Sequence, residues 1–125
     1  MKNSPTALAA ICITLLLMVP ANVLAHAFLD HADPKVGSVL AKPPSEIKLW
    51  FTQEIEPDFS TIEVHDSHGN RVDKQDAHQD SSDKKLMIVS VPALAGGEYT
   101  VVWKVVSTDT HHTHGTFKFT VKTQN

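Results

Sequence analysis

The chain has 125 residues, with 11 basic against 14 acidic side chains and a single cysteine, Cys12. That length accommodates one domain with one modest core. The acidic balance argues against a nucleic-acid partner, which needs basic patches, and one cysteine supplies neither a disulfide framework nor a thiolate cluster.

The first 25 residues read as a secretory signal peptide. Lys2 gives a positive start, residues 7–19 form an apolar run, Pro20 breaks it, and Val23 and Ala25 suit a peptidase site. The run is shorter than the roughly 20 apolar residues of a membrane span, so a cleaved leader is expected over an anchor. Cleavage after Ala25 leaves a single domain, residues 26–125, whose first residue is His26. Lys2 is the only charged residue removed, so 10 basic and 14 acidic residues remain, a formal charge of -4. No cysteine survives, and Met87 is the only methionine left.

Past the leader the chain reads as short strands between turn signals, with no convincing helix. Residues 27–32 form a first strand, 33–38 a loop, and Pro43-Pro44-Ser45 a second break. In 46–51, Ile47, Leu49 and Phe51 alternate with Glu46, Lys48 and Trp50. Residues 59–65 put Ile62 and Val64 on one face, 66–70 form a turn, and Val72 anchors the returning chain. The polar stretch 75–85 reads as an exposed loop and 86–91 as a buried strand containing Met87. Gly96-Gly97 opens a long strand, 98–107, with Tyr99, Val101, Trp103 and Val105 on one face. Residues 116–121 close the chain with Phe117, Phe119 and Val121 inward. About seven strands at this spacing indicate an all-β, immunoglobulin-like sandwich.

Histidines carry the chemistry. A histidine at a free N-terminus is a chelate: its α-amine and imidazole Nδ1 grip one ion together. Asp109-Thr110-His111, in the loop before the last strand, adds a carboxylate and a second imidazole. If 109–111 is extended, both side chains point to the same side. His26, Asp109 and His111 together offer three nitrogens and an oxygen, which suits copper(II): it favours tetragonal N,O surroundings and stands highest in the Irving–Williams order. Imidazole and amine bind unprotonated, so affinity falls as pH drops below their ordinary values of about 6.5 and about 8. In the same extended segment His112 and His114 point opposite to His111. They read as exposed, with a weak second metal site or extra donors to the first as open alternatives. Alternation puts His31 on the face opposite His26, while His65, His68 and His78 read as solvated. Met87, Trp50, Trp103 and Tyr99 read as packing.

These residues resemble the CopC family of periplasmic copper-binding, copper-resistance proteins, across nearly all of 26–122. The marks are His26-Ala27, Asp33-Pro34 with Gly37, Leu49-Trp50-Phe51-Thr52, Phe59-Ser60, and Gly97-Glu98-Tyr99 with Trp103. Residues 106–111 (Val-Ser-Thr-Asp-Thr-His), followed by Gly115 and Phe117, complete them. The resemblance implies a cupredoxin-like or immunoglobulin-like Greek-key β-sandwich or barrel. It also implies one copper(II) per chain on the His26 amine and imidazole, Asp109 and His111. A monomeric periplasmic carrier is expected, sequestering copper or passing it to an inner-membrane copper transporter, without catalysis. Two departures stand out. Some members carry a methionine-rich copper(I) loop, whereas residues 53–58 here contain neither methionine nor histidine, so no copper(I) site is expected. Many members also have glutamate at the place of Gln53, and Glu54 is the candidate to replace it.

Two other readings belong to different classes. An N-terminal histidine with a second histidine is also the brace of lytic polysaccharide monooxygenases. An aspartate ligand would block the position oxygen needs, and the sequence offers no flat aromatic surface for a polysaccharide. A structural β-sandwich without metal is the third reading, to be tested by replacing His26.

Overall fold

A computed structural model describes residues 27–124; the expected leader and His26 lie outside them. Among the described residues there are eight strands: β1 (Leu29–Asp33), β2 (Val39–Leu40), β3 (Glu46–Phe51), β4 (Thr61–His65), β5 (His78–Gln79), β6 (Leu86–Ser90), β7 (Gly97–Val106) and β8 (His112–Val121). They build two four-stranded sheets, ordered β1-β3-β6-β5 and β2-β8-β7-β4. Pairing is antiparallel except for β2, which runs parallel to β8.

Period-two alternation explains the core. In β3, Ile47 and Leu49 are fully buried and pair with Val89 and Met87 of β6. In the opposite sheet Tyr99, Val101, Trp103 and Val105 point inward from β7, alongside Ile62 and Val64 of β4 and Phe117, Phe119 and Val121 of β8 on the same inner face. Alternating side chains on facing sheets make one continuous apolar layer. Phe51 and Trp103 meet across it edge to face, with ring centroids 5.3 Å apart, a favoured geometry for aromatic pairs. Gly115 sits opposite Trp103 in the β7–β8 ladder. A Cβ there would stand 2.5 Å from Trp103 Cζ2, so the indole needs glycine beneath it.

The structure bears out the sandwich and the inward face of β7, and differs in detail. There are eight strands because β2 and β5, two residues each, leave no periodic signal. Pro57–Phe59 forms a 3-10 turn, so β4 starts at Thr61. The stretch 75–85 is not wholly loop: His78–Gln79 pairs with β6, and Gln79 Nε2 donates to the carbonyls of Ile55 and Lys84. The last strand begins at His112, four residues before the expected position, extending the ladder on β7 to the Val106–His112 pair.

One polar group is built into the structure beneath β4. Asp73 has no exposed side-chain surface and accepts from Arg71 Nε and Nη2 at 2.9 and 3.0 Å. It also accepts from the amides of Val64 and Gln75. Arg71 continues to Glu63 at 3.0 Å. Burial alone would raise the Asp73 carboxyl pKa, but the Arg71 fork and the two amides outweigh it and hold the value below the ordinary 3.8.

Candidate metal centre

The β7–β8 connection is a tight turn tied to the segment after β3. Thr110 N–H donates to the Ser107 carbonyl at 2.8 Å and Ser107 N–H to the His111 carbonyl at 3.0 Å. Thr108 N–H donates to the Glu54 carbonyl, and Glu56 N–H to that of Val106. Glu54 thus supports the loop through its backbone, while its side chain is exposed and Gln53 is half-buried.

Thr110 has φ of 73°, in the left-handed region that β-branched residues rarely occupy. The segment is therefore bent, so the extended geometry under which alternation would put both side chains on one side is not the one adopted. Asp109 and His111 nevertheless come together: Oδ2 and Nδ1 are 3.1 Å apart. Both side chains are close to half-exposed, 47% for Asp109 and 42% for His111. The other Asp109 oxygen, Oδ1, accepts a hydrogen bond from the Ser107 hydroxyl. That bond first, and the contact with His111 second, hold the Asp109 carboxyl below its ordinary value. Ser107 is fully buried, so its hydroxyl is a fixed donor. Sequence reasoning passed over it, because a serine before an Asp-x-His has no periodic or chemical mark of its own.

The start of the described chain is fastened beside this turn. Thr113, two residues past His111, donates its hydroxyl to the Ala27 carbonyl at 2.6 Å. Ala27 is fully buried, and Phe28 N–H donates to Thr52 Oγ1 while Thr52 N–H returns to the Phe28 carbonyl. Of the three expected ligands, the structure brings Asp109 and His111 together; His26 is outside the described residues. Among the described residues no group of three or more His, Cys, Asp or Glu side chains is gathered for a metal.

The donor pair fits a transition-metal ion. Ring-nitrogen and carboxylate donors sit about 2.0–2.2 Å from such an ion, so two neighbouring corners of a square stand about 3 Å apart. The Asp109–His111 separation of 3.1 Å is of that size.

The remaining histidines go elsewhere. His31 stacks on Trp50 with centroids 4.4 Å apart and takes Asp30 at its Nδ1. His65 lies between Glu63 and the Gly69 carbonyl. His78 Nδ1 meets the Asp76 carbonyl. His112 and His114 are exposed on β8.

The sequence matches the CopC domain over residues 29–122. The chain belongs to the CopC family. It is 33% identical over 114 residues to protein YobA of Escherichia coli K12, covering 90% of this chain and 92% of that protein. It is 28% identical over 112 residues to the copper transport protein CutJ of Bacillus subtilis, covering 89% of this chain but 21% of CutJ. Among solved structures, CopC from Methylosinus trichosporium OB3b superposes with a TM-score of 0.75 at 33% identity, covering 80% of this chain and 97% of that one. PcoC, a methionine-rich copper resistance protein from Escherichia coli, does so with a TM-score of 0.69 at 30% identity, covering 78% of this chain and all of PcoC. Membership makes this a copper-resistance-type, copper-binding protein on a β-sandwich.

Proposed function

We propose that this CopC-family chain is a periplasmic carrier holding one copper(II) ion on the His26 amine and imidazole, the Asp109 carboxylate and the His111 imidazole. The observation that carries the reading is the Asp109–His111 pair, with donor atoms 3.1 Å apart, at the end of the sandwich where Thr113 fastens Ala27. Position 26 is one residue from that anchor, and consecutive Cα atoms are about 3.8 Å apart. The ligand roles, cleavage after Ala25 and the periplasmic location are parts of this proposal.

The chemistry is that of binding and release, with no catalytic step. Asp109 supplies a negative charge that partly neutralises the cation, and Ser107 holds that carboxylate in place. The ligands come from the chain start and one loop, so release requires only local movement. CutJ carries a region similar to this chain within a much longer copper transport protein, which supports delivery to a membrane copper transporter.

The test is an EPR copper(II) titration of the protein beginning at His26, beside a version with one extra N-terminal residue. Stoichiometric binding with a nitrogen-rich tetragonal spectrum, altered or lost in the extended version, is expected. Identical spectra would exclude the amine as a ligand and sink the proposal.

A further inference from the structure

β8 carries two histidines that the proposed centre does not use. His112 and His114 are two residues apart within a regular strand, so both project from the same face. That face is the outer one. Their cross-strand neighbours are Val106 and Lys104, whereas the intervening Thr113 pairs with the core residue Val105. Thr113 sends its hydroxyl to the Ala27 carbonyl. The Ala27 anchor and the histidine pair thus lie on opposite sides of β8. His112 and His114 line one cleft of about 240 Å³ together with Phe59, Val106 and Lys104. Phe59 is 72% exposed on its 3-10 turn and forms an apolar wall beside the rings.

We propose that His112 and His114 form a second, weaker and solvent-open site for a divalent transition-metal ion, copper(II) above all. Residues i and i+2 of a strand are about 6.6–6.8 Å apart. Two imidazoles leaning together from that spacing bring one nitrogen each to an ion held at about 2.0–2.1 Å. Imidazole suits copper, nickel and zinc, and copper(II) leads that series. Water fills the remaining positions because the face is open. The Lys104 ammonium, directly across from His114, opposes a cation and keeps the site weaker than one built on a carboxylate. The site does not depend on the chain start, so it holds an ion whether or not His26 is a ligand.

Copper(II) is titrated into protein purified from cells expressing the full chain, with its N-terminus checked by mass spectrometry, and followed by EPR and calorimetry. Two binding events are expected. His112→Asn/His114→Asn should abolish the weaker and leave the tighter, and one residue inserted before His26 should do the reverse. A single event in the unaltered protein overturns the second site. So does a weaker event that survives the double substitution, or loss of the tighter event in its place. Failure of the amine-based centre would be seen separately, as a tighter event indifferent to the N-terminal insertion.

Discussion

The Ser107 hydroxyl reaches one oxygen of Asp109 and leaves the other turned toward His111. In the proposed centre a fixed donor of this kind orients the ligand, and losing such outer partners typically costs about 10–100-fold in metal affinity. Ser107→Ala should therefore weaken copper(II) binding within that range and let the Asp109 carboxyl rise toward its ordinary 3.8. Competition against a chelator of known affinity reads the first effect, and circular dichroism checks that the sandwich is intact. An unchanged affinity would remove Ser107 from the site. Asp73 acts on the fold instead. Its lowered pKa means that its contribution is complete above the unfolded value near 3.9 and fades as pH falls through the lower folded value. Asp73→Asn should cost about 1–3 kcal/mol at neutral pH, because the buried side chain loses the charge that the Arg71 fork and the Val64 and Gln75 amides bind, while the exposed Arg71 keeps Glu63. Urea unfolding across pH should show this difference narrowing below about pH 4.

At the level of elements, β8 both follows the β7–β8 turn and anchors the chain start. Thr113 supplies the hydroxyl that holds Ala27, and a single such bond is worth about 1 kcal/mol net. Thr113→Val keeps the shape and removes the bond, so unfolding should become easier by about 1 kcal/mol and copper affinity should fall by up to about fivefold. Equal affinity in titrations of both proteins would mean the chain start is held by its contacts with Thr52 alone. The same strand shows where the sequence was readable. β3, β6 and β7 were legible because Ile47, Leu49, Met87, Val89 and the Tyr99–Val105 row repeat with the pleat or run unbroken. The first third of β8 was not, since His112 and His114 face water and Gly115 exists to let Trp103 lie close. Asp109 and His111 were legible from residue type and spacing. Their conformation was not: the left-handed Thr110 replaces the extended segment that spacing alone suggests. Ser107, Thr113 and Asp73 take their roles from partners distant in sequence or hidden by folding, which no local pattern records.

For the molecule as a whole, the proposed ion shared by the chain start and the β7–β8 turn would tie the two sheets together at one end, because the start leads into β1 and the turn into β8. Binding to the folded state alone adds about 2.7 kcal/mol when free ligand is a hundredfold above its dissociation constant. For a domain of this size that raises the melting temperature by about 10 °C or more. Calorimetry with and without copper(II) should show that rise, and much less of it in the version with an extra N-terminal residue. A rise equal in both would mean that the stabilising ion sits elsewhere. The bond between Thr113 and Ala27 spans 86 residues of chain, which has a consequence for maturation. In the proposed centre, an unfolded chain would offer the amino-terminal chelate and the Asp109–His111 pair as two separate, weaker baits, and only the finished sandwich would present them as one. Tight copper capture would then report that this protein has completed its folding.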